Sequence, residues 1–163
     1  MMAVTEVVDA PARVVWEVFT DLPGRVRWLS EVDDVEVLDI TAGRARWRET
    51  RRARPGRSIS MVVEDLVLTV VEPGRRCTVA LADDASTNRL CYEFTPIELG
   101  PHRGSTLVTV HVAESKPHGL ADRVLAFVVG GFAARTAEGA VRDELAALTV
   151  ACRTRTQAGP AAA

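Results

Sequence analysis

Three side chains carry groups that can move a proton, and two of them are carboxylates on predicted apolar faces. Glu49 alternates with Trp47 along a predicted strand, and Glu138 lies on the apolar stripe of a predicted C-terminal helix. If both carboxyls point inward, loss of hydration raises their pKa values and suits them to acid–base work on a ketone or enol. In the alternative, each lies in water at a cavity rim or pairs with an arginine. Tyr92, the only tyrosine, either offers its hydroxyl to a ligand carbonyl or is a core ring with that hydroxyl at the surface.

Other catalytic and metal-binding patterns are missing from the sequence. The three cysteines, Cys77, Cys91 and Cys152, are far apart, and there is no CxxC, HxxxH or HExxH pattern. We therefore expect free, buried thiols in a reducing cytoplasm, with no disulfide, no metal and no cofactor. A nucleotide loop is also not expected, because the Gly130-Gly131 pair falls inside a predicted helix.

The bulk properties indicate a single domain. The chain has 163 residues, of which 47% are hydrophobic, so it is long enough to bury its own core. The net charge of -2 argues against a nucleic-acid partner. The most apolar run, Val124 to Ala134, is well short of the about 20 residues that span a bilayer, and no signal peptide is recognisable. We predict one domain over residues 1–153, a disordered tail over 154–163, and a cytoplasmic location.

The apolar periodicity predicts a strand, two short helices, six strands joined by tight turns, and one long helix. That helix runs from about Gly119 to Arg153, with an apolar stripe that includes Val141, Leu145 and Leu148. Sequential tight turns imply an antiparallel sheet. Because the sheet and the helix each have one apolar face, they should pack together as an α+β domain.

This order of elements resembles the START-like, or SRPBCC, superfamily, also known for its Bet v 1-like helix-grip fold. The opening segment carries much of the likeness, through Ala10, Pro11, Val15, Trp16, Asp21 and Trp28. GRARWRETRR around Trp47, then LTVVEPGRR and LCYEFTPIE, are similar to later strands of the polyketide cyclase/dehydrase and lipid transport branch. The resemblance covers about residues 3 to 153. It implies a curved seven-stranded antiparallel sheet (β-α-α-β6-α) wrapped around the C-terminal helix, with a hydrophobic cavity between them.

Strand and helix periodicity then suggest which side chains line such a cavity. The small residues at Gly130 and Gly131 leave room opposite the sheet. In the alternative, the same side chains form a filled core, which is the commoner role of an apolar stripe. The predicted ligand-binding set is Trp28, Trp47, Glu49, Val79, Leu81, Leu90, Tyr92, Phe94, Val108, Val110, Val124, Phe127 and Gly131.

Arginines crowd one predicted hairpin, and Arg44, Arg46 and Arg48 project from the same face of its second strand. This face is either a solvated surface neutralised by carboxylates of the neighbouring strand, or a dock for an anionic partner. An acyl carrier protein, a lipid head group or an acidic membrane surface would suit it; nucleic acid would not, because aromatic residues are sparse there.

Three functions are compatible with this sequence. The preferred hypothesis is the binding or transport of a small hydrophobic ligand, lipid or polyketide-like, in the cavity between sheet and helix. The second is a cofactor-independent polyketide cyclase or dehydratase, in which the same cavity folds the substrate and Glu49, Glu138 or Tyr92 moves the proton. The third is an interaction protein that uses the arginine hairpin. The family resemblance brings no universal catalytic residue with it, so the balance leans away from an enzyme.

Overall fold

A computed structural model describes residues 2–52, 61–82, 89–112 and 133–158. For residues 2 and 133–137 it describes the backbone only. The strands and helices follow the predicted order. Their bounds are β1 Met2–Val8, α1 Ala12–Thr20, α2 Arg25–Trp28, β2 Val32–Thr41, β3 Arg44–Arg52, β4 Met61–Glu72, β5 Arg76–Leu81, β6 Arg89–Pro96, β7 Thr106–Val112 and α3 Ala133–Gln157.

All seven strands belong to one antiparallel sheet, in the order β1-β7-β6-β5-β4-β3-β2. Gly43, which adopts a positive φ of 77°, makes the tight turn between β2 and β3. Strands β1 and β2 are consecutive in the chain but occupy opposite edges of the sheet. Helices α1 and α2 must therefore carry the chain across the sheet, and they bring residues 12–28 over its inner face.

Aromatic side chains attach α1 to the sheet. Helix α1 buries Val15, Val18 and Phe19 along one side. The Phe19 ring lies 4.5 Å from the ring of Tyr92 and 5.4 Å from that of Phe94, centre to centre. Trp16 meets Phe94 edge-on at 5.5 Å. Such tilted and edge-on pairs contribute about 1 kcal/mol each beyond the area they bury, so this end of the inner face is a packed core.

Helix α3 supplies the second layer. Val141, Leu145, Leu148 and Cys152 are all buried, at the predicted helical spacing, in one cluster with Tyr92 and other inner-face residues. The predicted α+β class, a curved antiparallel sheet with a C-terminal helix on its inner face, is confirmed. The predicted first part of this helix, including Gly130-Gly131, lies outside the described residues.

The helix also corrects the predicted tail. It continues to Gln157, so residues 154–157 are helical rather than disordered. The Thr154 and Thr156 hydroxyls donate to the carbonyls of Val150 and Cys152, one turn earlier. The first helix-breaking residues after Arg153 are Gly159 and Pro160.

The cysteines are free thiols, and Cys91 differs from the expectation in being only partly buried. Burial raises the pKa of Cys77 and that of Cys152 to about 12, which leaves both thiols protonated and unreactive at neutral pH. Within the described residues, no helix is both long enough and apolar enough to cross a membrane.

We expect Leu148→Ala to lower the free energy of unfolding by about 3 kcal/mol, because it empties a fully buried site between α3 and the sheet. Urea unfolding followed by tryptophan fluorescence measures the loss. The matched control is Val150→Ala on the same helix, where the side chain is 61% exposed and the change should stay below about 0.5 kcal/mol. Equal losses in the two variants would contradict this packing of α3.

Candidate functional site

A carboxylate lies completely buried on the inner face of the sheet. Along β3, Trp47 and Glu49 point inward with no exposed area, while Arg46 and Arg48 between and beside them point to solvent. The period of a strand requires this alternation. Glu49 therefore points inward on the same face as Trp47, as strand alternation suggested.

Three side chains donate hydrogen bonds to Glu49. Its Oε1 accepts from Arg25 Nε and, at 3.0 Å, from Trp47 Nε1. Its Oε2 accepts from Arg51 Nε at 2.7 Å, and Arg51 Nη2 is also 2.7 Å away. Two guanidinium groups thus hold one carboxylate in a water-poor site, where charge-assisted hydrogen bonds are strongest.

Arg25 connects this carboxylate to the helices. It lies on α2 and is itself buried, with its guanidinium carbon 5.5 Å from the ring centre of Trp28 and 5.7 Å from that of Trp47. Its Nη1 is 3.6 Å from Glu144 Oε1 on α3. The two indoles provide cation–π contacts to a charge that has lost its water. We call Arg25, Glu49, Arg51 and Glu144 the buried charge cluster.

Tyr92 reaches the same cluster from β6. Its hydroxyl donates to Glu144 Oε2 over a long 3.4 Å. Burial, and then the nearby Glu144 charge, raise the pKa of Tyr92 well above its usual value. The hydroxyl therefore stays protonated and remains a donor at neutral pH. The Tyr92 ring is in the core, as one alternative predicted. Its hydroxyl, however, is inside the protein and not at the surface.

The pKa of Glu49 moves in the direction opposite to the one expected from burial alone. Loss of hydration raises it, but the charges of Arg25 and Arg51 and the hydrogen bonds from Trp47 and Arg25 outweigh that effect and lower it overall. Glu49 is ionised at neutral pH. The structure has the alternative in which Glu49 pairs with arginine, and its pKa is not raised, as burial alone would make it, because two arginines face the carboxylate.

Glu138 does not join this site. It is half-exposed on α3, and Arg142 one turn along donates to it at 3.1 Å and 2.7 Å. This is the predicted alternative of a solvated carboxyl paired with an arginine, so Glu49 and Glu138 do not converge.

One buried donor has no partner in the part of the chain that the structure describes. The indole N–H of Trp28 is shielded from solvent and makes no hydrogen bond. A buried N–H without a partner costs about 1–3 kcal/mol. It lies beside the Arg25 guanidinium, on the edge of the buried charge cluster.

The described residues cover the inner face of the sheet unevenly. Phe94, Tyr92, Val108 and Val110 are fully buried. Farther along the same strands, Val79, Leu90 and Val112, which are register partners on β5, β6 and β7, are only partly buried. Leu81, the next inward residue of β5, is also partly buried. Of the predicted lining residues, the first group forms core and the second forms a partly uncovered wall, while Val124, Phe127 and Gly131 lie outside the described residues.

Sequence reasoning missed Arg25 and Glu144. Glu144 follows Val141 by three residues and precedes Leu148 by four, so strict helical counting places it on the apolar stripe. That signal was available. Arg25 had none, because its burial follows from where α2 crosses the sheet.

The arginine hairpin is largely neutralised. Arg48 makes a two-pronged ion pair with Asp65 on β4, at 2.7 Å and 3.1 Å, and Arg46 shares the same carboxylate at 3.1 Å. The hydrogen bond from Arg48 is the largest influence on the pKa of Asp65, which is lowered. Arg48 also lies 3.7 Å from Glu36 on β2. The solvated-face alternative describes these two residues, whereas Arg44 makes no ion pair within the described residues.

No group of three or more histidine, cysteine, aspartate or glutamate side chains with the geometry of a metal site occurs in the described residues. At the buried charge cluster, Arg25 and Tyr92 donate hydrogen bonds to its carboxylates, and the Trp28 N–H is a further donor at its edge.

The family to which this chain belongs accounts for the fold. Residues 1–153 match the model of the family described as polyketide cyclase / dehydrase and lipid transport, and the chain is a member of it. The resemblance inferred from the sequence is thus confirmed. No match was found among curated proteins.

Solved structures with the same fold include proteins of both descriptions. The Zhui aromatase/cyclase from Streptomyces sp. R1128 is 18% identical, with a TM-score of 0.65 over 98% of each chain. A STAR-related lipid transfer protein from Xanthomonas axonopodis is 19% identical, with a TM-score of 0.58 over 93% of this chain and 84% of that one. TTHA0849 from Thermus thermophilus is 18% identical, with a TM-score of 0.63 over 94% of this chain and 97% of that one. At these identities the likeness shows the fold alone.

We expect Glu49→Gln to lower the free energy of unfolding at neutral pH by about 3 kcal/mol, because it leaves Arg25 and Arg51 without their buried counter-charge. The loss should depend on pH. Since the pKa of Glu49 is lower in the folded than in the unfolded protein, its contribution is complete above the usual value of 4.5 and disappears as the pH falls through the lowered value. Urea unfolding at neutral pH and at steps below pH 4.5 measures both effects.

The control for this prediction is Glu138→Gln, which breaks only an exposed pair on one helix turn and should cost less than about 0.5 kcal/mol. A Glu49→Gln protein as stable as this control, or one with an unchanged acid dependence, would show that Glu49 is not the centre of the cluster.

Proposed function

We propose that the protein binds a small, largely apolar and uncharged molecule against the inner face of its sheet. The observation that carries the proposal is the partly uncovered wall formed by Val79, Leu90 and Val112. Aliphatic side chains on an inner face are normally covered by the opposing helix layer. These three register partners keep exposed area beside the described residues of the helix layer, and an apolar guest that covers them gains roughly 25 cal/mol per Å² of apolar surface buried.

The charge balance nearby favours a neutral guest. Two arginines face two glutamates within the buried charge cluster, so no formal charge is left over for an ionic ligand. In the described parts of the chain, a buried donor without a partner does remain, the Trp28 N–H. A ligand with a carbonyl or hydroxyl oxygen could accept from it, while its apolar body covers the wall.

The family and its relatives support this proposal. The family description includes lipid transport, and the Xanthomonas relative is described as a lipid transfer protein. Both descriptions fit a protein whose working part is an apolar inner surface.

The test is extraction of the purified protein with denaturing solvent, followed by mass spectrometry of any released small molecule. That molecule, or a panel of sterols, fatty alcohols and aromatic polyketides, is then titrated back with tryptophan fluorescence as the readout. We expect Leu90→Gln to weaken binding about tenfold, because it places an amide on the apolar wall.

The matched control is Val63→Gln on β4, where the apolar side chain is 59% exposed. Its affinity for the same ligand should equal that of the unchanged protein. If Leu90→Gln binds as tightly as this control, or no member of the panel binds at all, the proposed inner-face site is wrong.

One observation favours the alternative of a polyketide cyclase or dehydratase. The Tyr92 hydroxyl is buried and protonated, and its contact with Glu144 Oε2 is a long 3.4 Å, so it is a hydrogen-bond donor that a ketone oxygen can engage. The Streptomyces relative is described as an aromatase/cyclase. Glu49 is a poor choice of base for this reaction, because its lowered pKa makes it a weak base and it already accepts hydrogen bonds from three side chains.

If this alternative holds, Tyr92→Phe should lower the rate of cyclisation of a poly-ketone chain about a hundredfold and leave its affinity unchanged, because only the hydroxyl is lost. Product formation is followed by chromatography and mass spectrometry, and the affinity by fluorescence. Glu138→Gln, far from the cluster, is the control with an unchanged rate. A Tyr92→Phe protein with full activity excludes the proton-donor role, and an inactive unchanged protein excludes cyclisation of that substrate.

A further inference from the structure

The inner face of the sheet has a recess at the end where α1 stops. It lies between α1, the loop that follows it and the strands β2, β3 and β4, and its volume is about 360 Å³. That volume falls within the range of about 300–1,000 Å³ that small-molecule sites occupy. Its apolar lining includes Trp16, Leu22, Ile40, Ala45, Leu68 and Val70. We call this space the α1 recess.

Strand register joins the α1 recess to the partly uncovered wall. Ile40 is the register partner of Ala45, and Ala45 is that of Leu68, so these three residues share the inner face. Leu68 is in turn the partner of Val79, which belongs to the wall. Because neighbouring strands lie about 4.8 Å apart, a guest on Val79 needs only one strand spacing to reach the recess lining at Leu68.

Both ends of this row keep apolar surface exposed. Ile40 is 69% exposed, although it lies on the inner face of a strand. At the other end of the row, Val79, Leu90 and Val112 are only partly buried. A guest long enough to cover both ends removes more apolar surface from water than a guest on the wall alone. Its affinity should therefore rise with its length.

The polar side chains that line the α1 recess are engaged within the protein or point away from it. The Asp21 carboxylate accepts from Arg27 Nη2 at 2.8 Å. The Thr20 and Thr41 hydroxyls donate to nearby backbone carbonyls, at 2.8 Å and 3.4 Å. Arg44 alternates with the inward residues of β3, so its side chain projects from the outer face. The α1 recess therefore suits the apolar end of a guest rather than its polar end.

The strand order gives the length of such a guest. From β2, which carries Ile40, to β6, which carries Leu90, there are four strand spacings, or roughly 19 Å. An extended chain advances roughly 1.2 Å per single bond, so about 16 carbons cover this distance and about 8 carbons cover half of it.

We infer that the inner-face site binds an elongated guest with a linear apolar chain of about 16 carbons, whose apolar end occupies the α1 recess beside Ile40 and Ala45. This inference rests on the proposed function and adds the length of the ligand to it. The wall alone would hold a short guest, whereas the wall and the recess together select a long one.

The experiment compares two primary alcohols, octanol and hexadecanol, on the full chain. Affinity is measured by tryptophan fluorescence, and position by the methyl resonances of isotope-labelled isoleucine, since Ile40 lines the α1 recess. We expect hexadecanol to shift the Ile40 signal and octanol to leave it in place. Hexadecanol should also bind at least about tenfold more tightly than octanol, because it buries more methylene groups.

Two variants alter the recess and leave the wall intact. Ala45→Leu fills part of the recess and should weaken hexadecanol about tenfold, while octanol binds as before. Ile40→Ala shortens an exposed side chain, which spares the fold, and should weaken hexadecanol about threefold. The matched control is Thr69→Leu, which adds a similar side chain on the outer face of β4 and should leave both affinities unchanged.

The outcomes separate this inference from the proposed function. If octanol shifts the Ile40 signal as strongly as hexadecanol, or if hexadecanol binds both recess variants as tightly as Thr69→Leu, the extension into the α1 recess is wrong. The inner-face proposal then still stands, provided that Leu90→Gln weakens octanol. If neither alcohol binds while a sterol or polyketide does, the inference again falls and the proposed function remains. If nothing binds, both are wrong.

Discussion

The ionised Glu49 carboxylate in the interior is the constraint on which much of the structure depends. Moving a carboxylate out of water costs several kcal/mol even after the protein relaxes. Hydrogen bonds to charged groups contribute only about 1.5–3 kcal/mol each, so a single partner could not offset that cost. Glu49 has three, from Arg25, Trp47 and Arg51. Their combined effect keeps it charged and fixes the positions of the segments that supply them.

The partners of Glu49 come from distant parts of the chain because of the strand order. With β1 and β2 at opposite edges of the sheet, the short helices between them have to pass over the inner face. In this way α2 brings Arg25 to Glu49, and Glu144 reaches Arg25 from the C-terminal helix α3. The cluster therefore joins the sheet, α2 and α3 in one place.

The charges of the buried charge cluster are matched, since Arg25 and Arg51 face Glu49 and Glu144. Among the described residues, the Trp28 N–H is a neutral donor that is left without a partner. For a ligand on the inner face, hydrophobic burial would supply the affinity and the polar groups would supply the selectivity.

The sequence by itself determined the order of elements, the α+β class and the residues of the α3 stripe, because these follow from local periodicity and turn chemistry that neighbouring residues impose. The family was recognised from the resemblance of the opening segment and the later strands, which the family match confirms. The sequence also placed Glu49 inward, since a strand alternates. The sequence missed the burial of Arg25, and it left open whether Glu49 and Glu138 pair with arginines. These points depend on which distant segments meet and, for Glu138, on the rotation of α3. Only the tertiary structure decided these, because the ionisation state of a buried group is set by partners that no local pattern brings together.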